Sequence, residues 1–213
     1  MGGKREKAGK GPPLLREPVT IITTCMGRLD FLKQALPTWG NHPKVVVDYS
    51  CPQNCGEWAK DQAEIVKVRG EEYFNLSRAR NAGARGRTGV LAFLDADALL
   101  SPDFWSWVFI NKKPGNLIVC ENRSMGGLII VDATAFHALG GFNESFEGWG
   151  YEDVDMRKRL EASGLRKINI PKHLFSTLPH SDETRVANYR IKDKLLSDQL
   201  NRSLAQNTPR GLP

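Results

Sequence analysis

Two carboxylates follow an apolar run that has the length of one buried strand. Asp95 and Asp97 are separated by Ala96 and come directly after residues 90–94. Carboxylates at this spacing can hold a hard divalent cation such as Mn²⁺ or Mg²⁺, and the ion can in turn bind a diphosphate. Neutralising a departing diphosphate is electrostatic and Lewis-acid catalysis. The same short pattern occurs in turns and helix caps, but its place after a buried strand favours a functional site.

A second group of residues, 140–155, combines glycines, an aromatic ring and acids. Trp149 stands between two glycines and can stack on a sugar ring. Glu152 and Asp153 begin a predicted helix, where either can bind acceptor hydroxyls and one can accept a proton as general base. Acids in a first helical turn are also favoured by the helix dipole whatever the function. We assign that capping role to Asp155 and, as an alternative to substrate binding, to Glu152.

The elements that must position these residues alternate between short β-rich runs and helical segments. This alternation is typical of a parallel sheet covered by helices. The predicted strands are residues 19–24, 44–49, 65–68, 90–94, 117–120 and 128–131. The predicted helices are residues 29–36, 77–85 with Ser77 as N-cap, 104–110, 133–139, 152–163 and a single terminal helix at 183–205.

Polar residues cluster where the predicted strands end. In open α/β sheets, ligands bind beyond the carboxyl ends of the strands. The residues at those ends are Thr23, Thr24 and Arg28 for the first strand, Asp48 for the second, and Asp95 with Asp97 for the fourth. We therefore expect one ligand site at this edge of the sheet.

Composition predicts a folded domain. The chain has 213 residues, of which 40% are hydrophobic and 25% charged, as in ordinary globular proteins. No segment approaches the roughly 18 to 20 apolar residues of a membrane helix, so we predict a cytoplasmic protein. The net charge of +6 suits a polyanion or a diphosphate-bearing substrate, although much of the excess lies near the two ends.

The four cysteines are Cys25, Cys51, Cys55 and Cys120. One C-x3-C pair with two scattered partners lacks the paired spacing of a structural zinc site. We expect reduced thiols, with a local disulfide between Cys51 and Cys55 as the alternative.

Together the two groups of residues resemble the GT-A glycosyltransferases. Residues 18–97 resemble family-2 glycosyltransferases, and residues 125–155 resemble the C-terminal part of β-1,4-galactosyltransferases and the related chondroitin-polymerase and polypeptide N-acetylgalactosaminyltransferase modules. The resemblance implies a single GT-A (Rossmann-like) domain over residues 18–182, with a mostly parallel central sheet flanked by helices. A disordered basic leader at 1–17 precedes it, and a C-terminal helix and tail at 183–213 follow.

The same resemblance implies an inverting transfer of a hexose or N-acetylhexosamine from a UDP-sugar to a hydroxyl acceptor. It implies Mn²⁺, or Mg²⁺, at Asp95, Asp97 and His180, with His173 as second candidate for the histidine. Asp153 is then the base, and Glu152 and Trp149 line the site. The implied donor contacts are Thr23, Thr24, Arg28, Asp48, Arg78, Arg80, Asn81, Asp95, Ala96, Gly126 and Gly127. Arg80 is equally well read as an ion-pair partner.

The sequence departs from the galactosyltransferase pattern at two positions. Tyr151 stands where that pattern usually has Gly, and Val154 interrupts its run of acids. We also expect no membrane anchor, which would favour a bacterial or viral enzyme over a Golgi one. The donor sugar, the acceptor (a glycan or glycolipid precursor, a protein or a modified nucleic acid) and the oligomeric state stay open.

Three other functions compete with this one. A retaining transfer is the first. A sugar nucleotidyltransferase is the second, although the first strand is not followed by the Gly-rich basic loop it would need. A non-catalytic saccharide-binding or nucleic-acid-binding module is the third, and it would not require Asp97 or Asp153.

Overall fold

A computed structural model describes residues 18–120 and 127–207 of the chain. The strands are β1 Val19–Cys25, β2 Lys44–Tyr49, β3 Glu64–Val68, β4 Val90–Phe93, β5 Ala98–Leu100, β6 Asn116–Val119, β7 Ile129–Asp132, β8 Arg166–Asn169 and β9 Phe175–Thr177. The α-helices are α1 Leu29–Ala35, α2 Cys55–Ala59, α3 Leu76–Ala84, α4 Phe104–Asn111, α5 Ala133–Ala138, α6 Glu152–Ala162, α7 Asp182–Val186 and α8 Lys194–Asn207. The predicted leader and Gly126 lie outside the described residues.

Seven strands form one sheet in the order β3-β2-β1-β4-β7-β6-β8. β1 pairs in parallel with β2 and β4, β2 with β3, and β6 with β8, whereas β7 runs antiparallel to both its neighbours. The predicted mostly parallel central sheet is therefore confirmed. A separate two-stranded ribbon joins β5 to β9.

The central strands are apolar on both faces because helices cover both sides of the sheet. Ile21 and Val46 point into a core shared with α1 and α4. Ile22 and Val47 point into the opposite core, which includes residues of α3, α5 and α6. α3 packs so closely that a Cβ on its Gly83 would lie 2.6 Å from a methyl group of Ile22, which requires glycine there.

A ligand crevice opens where the strand order reverses. β1 lies between β2 and β4 and runs parallel to both. The two strands that follow β1 lie on its β2 side, and those of this sheet that follow β4 lie on the opposite side. Open α/β sheets bind their ligands at such a switch point. Asp95 and Asp97 come shortly after β4 and thus stand at the mouth of this crevice.

Thr23 and Thr24 lie inside β1 and Asp48 lies inside β2, within the strand bounds predicted from the sequence. The prediction of Ser77 as N-cap was wrong. The N-cap of α3 is Asn75, whose side chain accepts a hydrogen bond from the backbone N–H of Arg78. The sequence offered Ser as well as Asn at this end, and both are good caps.

The predicted single terminal helix is also wrong, because α7 and α8 are separate. The side chain of Asn188 donates to the carbonyl of Met26 at 2.7 Å, and the carbonyl of Asn188 accepts from the N–H of Phe74 at 2.8 Å. Tyr189 is buried beside them. Tertiary contacts of this intervening segment outweigh continued helix formation.

Among the described residues, no helix combines the length and apolar character that crossing a bilayer requires.

Candidate active site

A cleft of about 670 Å³ lies at the carboxyl ends of β1 and β4. Its walls come from the residues after β4, the N-terminus of α6, and the segment containing α7 and α8. Ten of the predicted site residues line it: Thr24, Arg28, Asp95, Ala96, Asp97, Gly127, Trp149, Glu152, Asp153 and His180. The structure thus brings together the two groups of residues that the sequence singled out.

Asp97 and His180 meet at the floor of the cleft. The imidazole Nε2 of His180 lies 2.7 Å from Oδ2 of Asp97, and Nη2 of Arg28 lies 3.2 Å and 3.5 Å from these same two atoms. Burial raises the pKa of Asp97, and the neighbouring Asp95 raises it further. A carboxylate oxygen and an imidazole nitrogen are ligands that divalent metal ions accept.

The β5–β9 ribbon explains how a distant histidine reaches the aspartate. β5 begins directly after Asp97 and pairs antiparallel with β9, so that Ala98 lies opposite Thr177. The N–H of Leu178 then donates to the carbonyl of Asp97 at 2.9 Å. His180 follows two residues later. His173 is exposed and does not line the cleft.

Arg80 is a buried cation behind the acidic residues. Its Nη2 donates to Oδ1 of Asp95 at 2.7 Å and lies 3.4 Å from the carbonyl of Gly127, and its Nη1 is 3.5 Å from Oε1 of Glu152. Arg80 is therefore an ion-pair partner of both acids. A Cβ at position 127 would overlap Oδ2 of Asp95 and lie 2.8 Å from Nη2 of Arg80, so any other residue there would displace this ion pair.

The N-terminus of α6 presents two acids with different surroundings. Burial raises the pKa of Glu152 to about 7, with the charge of Asp153 adding to the shift and Arg80 opposing it. Asp153 accepts a hydrogen bond from the N–H of Val154 at 2.8 Å, and Nη2 of Arg157 lies 3.5 Å from its Oδ2.

Asp155 occupies a different face of α6. It accepts from Arg159 at 2.8 Å and does not line the cleft. Asp155 lies in the first turn of α6, where the helix dipole favours an acid, and its capping role stays a prediction.

Trp149 is held by the C-terminal helix. Two cations approach its indole ring, with Nζ of Lys194 4.7 Å and Cζ of Arg185 5.4 Å from the ring centre. The carbonyl of Trp149 accepts from Ser197 at 2.8 Å, and the carbonyl of Gly150 accepts from Asn201 at 2.8 Å. The backbone of Trp149 and Gly150 is thus fixed to α8, and Trp149 lines the cleft.

Tyr151 adopts a conformation that favours glycine. Its φ of 76° and ψ of −18° place it in the left-handed region at the N-cap of α6. A non-glycine residue is uncommon there, which explains why the related pattern has Gly at this position. Two cations contact the side chain of Tyr151. Nζ of Lys158 donates to its hydroxyl at 3.0 Å, and Cζ of Arg202 lies 5.3 Å from the ring centre.

Five predicted donor contacts do not line the cleft. Four of them lie outside it: Thr23, Asp48, Arg78 and Asn81. The fifth, Arg80, lies behind the cleft residues Asp95 and Glu152. Asp48 is buried and pairs with Arg69 at 3.0 Å. Arg78 pairs with Glu71 on the surface, and Asn81 fixes the backbone of Phe142 through two hydrogen bonds. Their part in donor binding stays a prediction.

The sequence did not point to several residues that line the cleft: Phe74, Arg157, Arg185, Tyr189 and Lys194. The four-residue spacing of Asp153 and Arg157 on one helix was a usable signal, since such pairs face each other. The others reach the cleft through contacts between distant segments, such as the ring pair Phe74 and Tyr189 with centres 5.3 Å apart.

Known proteins resemble this chain over these same elements. The family described as the N-terminal domain of galactosyltransferase matches residues 119–183. β-1,4-Galactosyltransferase 4 of Rattus norvegicus is 26% identical over 122 residues, or 51% of this chain and 35% of the relative. The Mus musculus protein is 27% identical over 122 residues. The matched region therefore spans about a third of these relatives' length, 35% in each.

Solved structures share the fold over most of the chain. The catalytic domain of Drosophila β1,4-galactosyltransferase 7, in complex with xylobiose, has a TM-score of 0.63 and 13% identity, covering 92% of this chain and 82% of that one. S. aureus TarS has a TM-score of 0.62 and 12% identity, covering 86% of this chain and 69% of that one. A mutant of the Drosophila enzyme in complex with manganese, UDP-Gal and xylobiose has a TM-score of 0.58 and 16% identity, covering 85% of this chain and 79% of that one.

The chain therefore has the GT-A glycosyltransferase fold and contains, over residues 119–183, a segment that matches the galactosyltransferase family.

Proposed function

We propose that this protein is a metal-dependent glycosyltransferase that moves a hexose or N-acetylhexosamine from a UDP-sugar to a hydroxyl acceptor with inversion. The observation that carries the proposal is the meeting, in one cleft, of the Asp97–His180 pair with the acidic N-terminus of α6 and with Trp149. Both halves are needed for the chemistry, because one must bind the donor diphosphate and the other must activate an acceptor.

The donor side fits a metal-bound diphosphate. Asp97 and His180 are the residues that would hold Mn²⁺, with Asp95 beside them, and the ion would supply positive charge to the departing diphosphate. Arg28 adds a cation at the same place, and its buried Nη1 has no hydrogen-bond partner among the described residues. That free donor is suited to a phosphate oxygen. A fold neighbour was solved with manganese and UDP-Gal.

The acceptor side fits a sugar hydroxyl. Asp153 acts as general base and removes the proton of the attacking hydroxyl, while Arg157 holds its carboxylate in place. Glu152, with its pKa raised to about 7, accepts or donates a hydrogen bond to a second hydroxyl near neutral pH. Trp149 supplies an apolar plane for the sugar ring, as aromatic side chains do in saccharide sites.

Inversion follows from a single displacement. The hydroxyl activated by Asp153 attacks the anomeric carbon from the face opposite the bound diphosphate, so one bond forms as the other breaks. No protein nucleophile is required on this route. The acceptor is a hydroxyl-bearing molecule that reaches the cleft from the side of α6 and α8.

Binding of a panel of UDP-sugars to the full chain tests the proposal. Calorimetric titration with UDP-galactose, UDP-N-acetylgalactosamine, UDP-glucose and UDP-N-acetylglucosamine in the presence of Mn²⁺ should give saturable binding for one of them. EDTA and the Asp97→Asn variant should weaken it, whereas the matched Asp155→Asn variant should not. Lack of binding by every donor with either Mn²⁺ or Mg²⁺ would overturn the proposal.

A further inference from the structure

Three cysteines from three segments meet at the carboxyl edge of the sheet. Cys25 ends β1, Cys51 follows β2, and Cys55 begins α2. Their sulfur atoms all lie within 4.8 Å of one another, and the Sγ atoms of Cys25 and Cys51 are 3.9 Å apart. All three are free thiols, so the alternative disulfide between Cys51 and Cys55 is absent.

Sequence spacing could not reveal this group. The C-x3-C pair gains its third member only because β1 and β2 pair in parallel with Cys25 opposite Asp48. Cys51 lies three residues further along, so the strand pairing brings its sulfur to the end of β1. The cysteine spacing lacks the paired motif of a structural zinc site, but strand pairing can still bring cysteines together that are distant in the chain.

The separation of the sulfurs matches that of metal-bound thiolates. At a metal–sulfur distance of about 2.3 Å, an ion between the sulfurs of Cys25 and Cys51, 3.9 Å apart, would subtend an angle of about 116°. This value lies between tetrahedral and trigonal geometry. A disulfide would instead require the sulfurs to approach to about 2.05 Å. The sulfurs of Cys25 and Cys51 thus fit one ion as they stand, and the sulfur of Cys55 lies within 4.8 Å of both.

Burial determines the kind of ion that fits. Cys25 and Cys55 are 0% exposed and Cys51 is 5% exposed, so solvent has little access as an additional ligand. The group contains no histidine or carboxylate among the described residues. Structural Zn²⁺ almost always takes four ligands, whereas soft thiolate ligands also select Cu⁺. Three sulfurs in a dry site therefore favour a soft ion that accepts three ligands.

Hydrogen bonds already hold the group together. The N–H of Gly27 donates to the Cys51 sulfur at 3.4 Å, and the thiol of Cys55 donates to the carbonyl of Cys25 at 3.7 Å. A metal ion at the centre would replace the thiol protons.

We propose that Cys25, Cys51 and Cys55 form a three-thiolate site for one soft, thiophilic metal ion, with Cu⁺ the best-suited ion and Zn²⁺ the second. The site is separate from Asp97 and His180 and does not depend on the proposed transferase activity. Bound metal would tie β1, the loop after β2 and α2 together. The N–H of Cys51 donates to Oδ1 of Asp48 at 3.1 Å. Bound metal would therefore also restrict the motion of the residues around that buried aspartate.

Titration of the reduced full chain under anaerobic conditions tests the site. Cu⁺ is added against a chromophoric Cu⁺ chelator, and Zn²⁺ is titrated in a separate arm. We expect one equivalent of at least one of these ions to bind and to raise the unfolding temperature, as any ligand of the folded state does. Single Cys→Ser changes at the three positions should weaken binding by more than the about 10- to 100-fold that loss of an outer-shell partner costs.

Two controls make the result decisive. Cys120→Ser removes a buried cysteine that is outside the group and should leave metal binding unchanged. X-ray absorption of the metal-loaded wild-type protein, which does not rely on variants that fold, should show three sulfurs at about 2.3 Å. Lack of saturable binding by both ions, Cu⁺ binding that survives loss of all three cysteines, or coordination by fewer than three sulfurs would each overturn the proposal.

Discussion

His180 Nε2 lies 2.7 Å from Asp97 Oδ2, although the two residues are 83 positions apart. The β5–β9 ribbon brings them together, and no local sequence motif contains both. This contact carries the donor half of the proposed reaction.

The first prediction concerns this pair. His180→Ala should weaken Mn²⁺ binding by at least about 10-fold, because it removes one of the two proposed ligands that face each other. We expect the substitution to affect the fold only locally. Mn²⁺ titration followed by electron paramagnetic resonance measures the affinity. His173→Ala is the matched control, since His173 is exposed, and it should bind Mn²⁺ like the wild type. Equal loss in both variants would exclude His180 as a specific ligand.

The second prediction concerns the base. Asp153→Asn should lower kcat by about 10² to 10⁴, the usual contribution of a general base, and leave donor affinity within a factor of about two. Steady-state kinetics and donor titration separate these effects. Asp155→Asn on the same helix, where Asp155 pairs with Arg159, should keep kcat. A kcat for Asp153→Asn near that of the wild type would assign the base to another residue.

The third prediction concerns Arg80. Arg80→Met should lower the free energy of unfolding by about 3 to 5 kcal/mol, because Asp95 and Glu152 lose their buried counter-charge. The side chain of Arg80 is 2% exposed, whereas that of Arg78, two positions earlier, is 46% exposed and pairs with Glu71. Arg78→Met should therefore cost less than about 1 kcal/mol. Urea unfolding of both variants measures the difference, and equal values would contradict the buried ion-pair role.

The fourth prediction concerns pH. The pKa of Glu152 rises from its ordinary value of 4.5 to about 7 in the folded protein. Between these two values the folded state keeps a proton that the unfolded state releases, so this group's contribution to stability is present below pH 4.5 and is lost as pH rises toward about 7. The loss is on the order of 3 kcal/mol.

Urea unfolding across that window checks the sign. Glu152→Gln should remove this component, so that the variant gains stability relative to the wild type as pH rises. Glu161→Gln, an exposed position on the same helix, should follow the wild-type profile. A Glu152→Gln profile parallel to that of the wild type would show that Glu152 does not titrate with a raised pKa.

Local pattern was sufficient for part of the fold and site. The helix at α6, with Met156 and Leu160 inward, follows from its spacing and from the glycine that ends it. β4 and the two aspartates after it follow from an apolar run that ends abruptly. These features depend on residues close together in the chain.

Features set by distant contacts could not be predicted in the same way. The sequence left Arg80 open as a donor contact or an ion-pair partner, and local pattern could not show that it is buried against Asp95 and Glu152 from other elements. The break between α7 and α8 is set by Asn188 and its bond to Met26. The three-cysteine group depends on the pairing of β1 with β2. In each case the stabilising contacts join residues that are distant in the chain, so local sequence propensity could not predict them.

The most direct test of the central claim is the release of UDP from the donor that binds best in the panel. The account predicts slow UDP release that requires Mn²⁺, stops with EDTA, is lost in Asp97→Asn and accelerates when an acceptor sugar is supplied. Lack of UDP release from every UDP-sugar, with Mn²⁺ or Mg²⁺ and with or without acceptor, would contradict the assignment of this cleft as a glycosyltransferase active site.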